Sequence, residues 1–181
     1  MKKILSIAVG ITVATMSQAN LLSNGGFETG TFAGWSVNGL TLPTIVADGH
    51  SGSFAASFAG SGSSNWISQS FFANSGWTYD VKLYIKNNGV GDDRFYVQLG
   101  GSTPVDMAPI AYPLESWSEV SFQWVADTTG PDAITIGGFD PNTFQIDDVS
   151  VVVSSVPEPA TIASLGLGAL AIARRARRRQ S

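Results

Sequence analysis

The sequence has no cysteine and a single histidine. The first absence excludes thiol chemistry, disulfide staples and zinc–thiolate centres. The second excludes a histidine-rich metal centre and leaves His50 as the sole base for any serine triad. Charge is scarce as well: Asp, Glu, Lys and Arg make up 13% of the 181 residues, roughly half the usual quarter. What charge there is divides along the chain. Seven of the ten basic residues lie at the ends, as Lys2, Lys3, Arg174, Arg175, Arg177, Arg178 and Arg179. Between Asn20 and Val156 only Lys82, Lys86 and Arg94 stand against thirteen acidic residues, a net charge of −10. A surface of that sign repels phosphate backbones, which excludes nucleic acid as a partner.

Catalytic patterns are missing too. The run Gly49-His50-Ser51-Gly52 is not the strand-to-helix elbow that exposes a nucleophilic serine. No glycine-rich phosphate loop opens a helix. A glycosidase needs two carboxylates facing each other across a cleft, and among thirteen acids no pair stands out. The sequence predicts a protein that is not an enzyme.

Both ends are of a different character from the middle. Met1-Lys2-Lys3 precedes an apolar run from Ile4 to Met16, then Ser17-Gln18-Ala19. A positive start, a short apolar segment and small residues before a cut site form a secretory signal. Residues 1–19 are therefore expected to engage the Sec translocon and signal peptidase, leaving a chain that begins at Asn20. The apolar run is too short for a membrane span of about 30 Å. At the other end, Val156-Pro157-Glu158-Pro159 leads into the uncharged, mostly apolar run Ala160 to Ala173, and five arginines follow. The prolines place a helix start at Ala160. Such a helix covers about 21 Å, so it anchors only if the membrane thins and the arginines snorkel. The arginines would keep the last residues cytoplasmic and residues 20–156 outside.

Pro157-Glu158-Pro159, the short apolar helix and the arginine-rich end resemble the PEP-CTERM sorting signal, here residues 157–181. The resemblance implies recognition and cleavage by exosortase, a membrane-embedded enzyme of Gram-negative bacteria that make extracellular polysaccharide. It implies transient inner-membrane anchoring by residues 160–173, then release or transfer to the cell surface or extracellular matrix.

The middle carries all 19 aromatic residues and almost no helical periodicity. Short alternating runs recur, separated by Gly, Asn, Ser and Asp. Tyr79, Val81, Leu83 and Ile85 alternate with polar or amphipathic neighbours, as do Phe95, Val97 and Leu99, and Val120, Phe122 and Trp124. Further strands are expected over 54–58, 66–72, 133–136 and 144–153. The turn-rich stretch from Asn87 to Asp93 reads as a hairpin between two of these strands. Eight or nine strands within residues 20–156 predict an all-β, two-sheet sandwich around one core.

Asn20-Leu21-Leu22-Ser23-Asn24-Gly25-Gly26-Phe27-Glu28-Thr29-Gly30, with Trp35 beyond, resembles the first strand of galactose-binding-like jelly rolls, which include carbohydrate-binding modules. His50-Ser51-Gly52-Ser53-Phe54-Ala55 and Phe144 to Val151 resemble the next and the closing strands. The resemblance implies a jelly-roll β-sandwich with a structural calcium ion, to which Glu28, Asp147 and Asp148 would contribute; the sequence does not choose between the two aspartates. The residues add that apolar parity switches across Asp147-Asp148, as at a β-bulge, and that adjacent carboxylates in a strand are costly unless neutralised. Calcium takes about six to eight oxygen ligands, so carbonyls near 48–51 would have to help. A solvated acidic edge is the alternative.

For a ligand face, Tyr84 and Tyr96 have outward parity on strands read as paired, near Lys82, Lys86 and Gln98, and Trp66 shares parity with Ser68 and Ser70. Rings on a polar face stack on sugar C–H surfaces while neighbours bond hydroxyls; the alternative is that the rings pad the sandwich. The resulting expectation is an exported, exosortase-sorted module that binds extracellular polysaccharide through Trp66, Tyr84, Tyr96 and Gln98. A structural matrix or biofilm protein without a specific sugar site is the second reading, and a hydrolase the third.

Overall fold

A computed structural model describes residues 19–58, 64–87, 94–101, 105–106, 115–139 and 144–155. The alternating runs become strands β1 (Ser36–Gly39), β2 (Thr44–Val46), β3 (Ala55–Phe58), β4 (Asn65–Ala73) and β5 (Thr78–Asn87). They continue as β6 (Arg94–Leu99), β7 (Val105–Asp106), β8 (Trp117–Val125), β9 (Gly130–Phe139) and β10 (Phe144–Ser155). One sheet has the order β1-β4-β9-β6-β7 and the other β2-β3-β10-β5-β8, with antiparallel pairing throughout. No helix occurs among the described residues. The signal segment and the Pro-Glu-Pro tail, with the expected span at 160–173, lie outside them. Among the described residues, no helix is long and apolar enough to cross a membrane.

The core forms where the inward halves of the two sheets meet. Tyr79, Val81, Leu83 and Ile85 of β5 are fully buried, as are Phe95 and Val97 of β6, Ile134 and Ile136 of β9, and Ile146 and Val151 of β10. Tyr79 keeps its polar tip satisfied by accepting a bond from the Asn74 amide at 2.8 Å. Among the described residues this core runs from Leu22 to Val153.

Three local arrangements differ from the expectations. β5 and β6 are not a hairpin: β5 lies between β10 and β8, with both edges taken, so β6 pairs instead with β9 and β7 in the other sheet. Residues 24–30 are turns, not a first strand. Asn24 and Phe27 hold φ of 50° and 56°, a left-handed geometry that cannot extend. The segment still lies along β10, through Leu21 N to Val151 O at 2.9 Å and Val149 N to Gly25 O at 2.9 Å. Finally β1, β2 and β7 are strands of only four, three and two residues, too short to show a period.

Candidate functional site

Outward residues of the first sheet come into register across four strands. Trp66 of β4 and Tyr96 of β6 both lie opposite Gly137 of β9, and Asn38 of β1 lies opposite Trp66. One strand spacing separates each neighbour, so the two aromatic positions stand roughly 10 Å apart. Gly137 lowers the floor between them. A Cβ there would sit 2.6 Å from Tyr96 Oη, so the phenol lies across the glycine, and no larger residue fits beneath it. The adjacent row is polar: Ser36, Ser68, Thr135 and Gln98. Burial pushes the Tyr96 phenol above its ordinary pKa, so it stays a neutral hydroxyl. Three residues expected at a ligand face, Trp66, Tyr96 and Gln98, thus share one surface. Ser68, which shares parity with Trp66, joins them, as do Asn38, Thr135 and Gly137, which no local pattern singled out.

Tyr84 is elsewhere. It projects from β5 on the opposite sheet, so the expected grouping of Tyr84 with Tyr96 is corrected by the separation of β5 from β6. One face of its ring is stacked on His50 at 3.6 Å between centroids, and Lys82 Nζ stands 5.0 Å from the ring centre. Its hydroxyl donates to Glu119 at 2.9 Å, which also binds Lys82 at 2.8 Å. Trp117 meets the edge of His50 at 5.7 Å and carries Lys86 over its ring at 5.2 Å. Lys86 is nearly buried and forms an ion pair with Asp48. Lys86 holds the Asp48 carboxyl below the usual carboxylate range, chiefly by their hydrogen bond.

The acidic cluster gathers where the N-terminal turns, residues 50–54 and β10 meet. Along β10 the register moves three residues, from Asp147 to Ser150, while β5 moves two, from Tyr84 to Lys82. Asp148 supplies the left-handed residue of this bulge, with φ of 50°. Asp147 is fully buried and accepts from the amides of His50 at 2.7 Å, Ser51 at 3.1 Å and Asp148 at 2.6 Å. Burial pushes its carboxyl up to about 6, against the pull of those amides. Asp148 contacts His50 Nδ1 at 2.7 Å and accepts from Ser51 Oγ at 2.6 Å. Glu28 accepts from the amides of Ser53 at 2.9 Å and Phe54 at 3.0 Å.

Two of the three carboxylates approach Gly26: a Cβ there would lie 3.5 Å from Asp148 Oδ1 and 3.7 Å from Asp147 Oδ1, with the Glu28 methylene carbon Cγ at 3.8 Å and the Glu28 carboxylate turned to Ser53 and Phe54. As a donor set they suit calcium, being all oxygen and strongly negative. Among the described residues, however, no three acidic or histidine side chains converge closely enough to hold one ion. The same contacts bear on nucleophilic chemistry, because Ser51 Oγ is bonded to Asp148 and His50 is stacked on Tyr84. A further feature absent from the sequence reading is a cavity of about 220 Å³ at the sandwich end, with Leu99 and Trp124 among its lining and Asp127 and Asp132 beside them.

Residues 155–179 match the PEP-CTERM protein-sorting motif, which marks an exported chain processed by exosortase. No curated protein matches the sequence. Solved structures with the same fold include TmCBM61 in complex with β-1,4-galactotriose, at 23% identity and a TM-score of 0.62, covering 75% of this chain and 99% of that one. The CBM22-1 xylan-binding domain of Paenibacillus barcinonensis Xyn10C is similar at 18% identity and a TM-score of 0.57, covering 79% and 100%. A family 16 carbohydrate-binding module matches at 16% identity and 0.54, covering 74% and 99%. The described domain has the jelly-roll fold that these carbohydrate-binding modules share.

Proposed function

We propose that the chain is a non-catalytic surface or matrix protein whose jelly roll binds extracellular polysaccharide through the face bearing Trp66, Tyr96 and Gln98. The observation that carries this is the row Trp66, Gly137, Tyr96. The Tyr96 ring lies across the glycine toward Trp66, beside a neighbouring row of hydroxyls and an amide. Aromatic rings take the apolar faces of sugars, and the polar row takes their hydroxyls. The sorting motif supports delivery to the surface, where such a polymer would be met. The test is retention of residues 20–155 on a polysaccharide panel. Trp66→Ala and Tyr96→Ala should each weaken retention about tenfold or more. Tyr84→Ala, on the other sheet, should leave it unchanged. A folded domain that binds no glycan would favour the matrix protein without a sugar site.

We also propose one calcium ion among Glu28, Asp147 and Asp148. A carboxylate has about four lone-pair positions, so the three amides on Asp147 and the His50 ring and Ser51 hydroxyl on Asp148 leave both with acceptor capacity. A divalent cation there would offset the cost of an ionised, buried Asp147. Chelation should lower the melting temperature of residues 20–155, and readdition of calcium should restore it. An unchanged melting temperature would remove calcium from this reading.

A further inference from the structure

Four strands bound the two sheets, and three of them are short: β1 has four residues, β2 three and β7 two. Short edges leave little template for another chain. The fourth, β8, runs nine residues, and among the described residues it pairs with β5 alone. Its backbone groups alternate in direction. Ala126 N, just past its end, donates to Trp77 O at 3.1 Å. Even-numbered groups of β8 therefore face β5, and those of residues 117, 119, 121, 123 and 125 face away from it. Among the described residues, several of the usual devices that protect a long edge are missing. The strand, Trp-Ser-Glu-Val-Ser-Phe-Gln-Trp-Val, holds no lysine, proline or glycine, and its ladder with β5 has no register shift.

We propose that β8 is an association edge on which a second copy of this chain pairs antiparallel, joining two five-stranded sheets into one continuous sheet. The sequence of the strand is complementary to itself. With the two-fold axis at Ser121, Val120 meets Phe122 of the second copy and both lie on the core side. On the outer side Glu119 meets Gln123 and Trp117 meets Val125, which is 52% exposed in the single chain. No like charges are opposed, and like charges directly opposite are what would destabilise such a pairing. The Glu119 charge is already offset by Lys82 at 2.8 Å, so the edge itself is close to neutral. Away from the edge, the −10 of each domain opposes association. Added salt screens that repulsion and should strengthen the dimer.

Sedimentation equilibrium of residues 20–155, at low and high salt, tests the proposal with Ser121→Pro and Ser121→Lys. Ser121 is exposed and its N–H faces away from β5, so neither substitution removes a ladder bond to β5; both lose the side-chain bond to the exposed Glu119 carboxylate. The expected result is a reversible dimer that tightens with salt and gains amide protection at residues 119, 121 and 123. Both substitutions should weaken it about tenfold or more, with the melting temperature of dilute protein unchanged. If the proline variant fails to fold, the lysine variant carries the test alone. A chain that stays monomeric to about 1 mM at high salt would overturn the proposal, since even weak specific pairing is populated there. So would a dimer that the folded Ser121 variants leave intact.

Discussion

Replacing Gly25 by alanine probes how the N-terminal turns are held to the last strand. A Cβ at Gly25 would stand 2.1 Å from Val149 O and 3.1 Å from Val149 C, both backbone atoms of β10. Backbone in the middle of a sheet cannot swing aside, so the N-terminal segment has to lift. Four bonds hold it to β10: Val149 N to Gly25 O at 2.9 Å, Leu21 N to Val151 O at 2.9 Å, Asn20 Nδ2 to Val149 O at 3.0 Å and Val151 N to Asn20 Oδ1 at 3.0 Å. Losing two or three of them, at about 1 kcal/mol each, costs about 3 kcal/mol. For a domain of this length that corresponds to a fall in melting temperature of about 10 °C. The control is Gly101→Ala, where nothing lies within 4 Å of the added carbon and the change should stay within about 0.5 kcal/mol. Thermal unfolding of residues 20–155, followed by circular dichroism, reads both. A Gly25→Ala melting temperature within about 2 °C of the parent would refute the reasoning.

Two further outcomes follow from the charged groups. Asp147 is held up to about 6 by burial, from an ordinary 3.8, so the folded state keeps its proton where the unfolded chain has lost it. Stability from this group is therefore full below about pH 4 and falls by about 3 kcal/mol as pH rises through 6. In chelator, Asp147→Asn should remove that fall, and parallel urea midpoints for parent and variant from about pH 4 to 7 would contradict it. Lys86→Met should let the Asp48 carboxyl return toward its ordinary range, because Lys86 is the main cause of its depression. A titration of Asp48 by NMR that does not move would show the pair to be unimportant. The destabilisation should be only about 1 kcal/mol, since Asp48 is half exposed and can rehydrate.

Features set by period-2 alternation could be read directly from the sequence. The inward residues of β5, β6 and β8 follow from alternation alone. The bulge at Asp147-Asp148 follows from a break in that alternation, because one extra residue moves every later side chain to the other face. Which strands pair is a different matter. It depends on contacts far apart in the chain, and here β10, the last strand, takes the place beside β5 that a hairpin would have given to β6. That choice sent Tyr84 and Tyr96 to opposite sheets. The row through Gly137 was hidden for the same reason, since it needs the registers of β4, β9 and β6 together. A glycine in a strand carries no sign of what will lie across it.

β10 also decides how the domain would carry load. It is the central strand of its sheet, bonded to β3 and β5 along its flanks and to the N-terminal turns above it. Its last residue, Ser155, is where the sorting motif begins. A pull on the C-terminus is directed along β10, parallel to the strand and across its hydrogen bonds. The ladder to β5 must then slide as a whole, because no single bond can open ahead of the rest. The same strand that completes the core is the one mechanically suited to bear a tether.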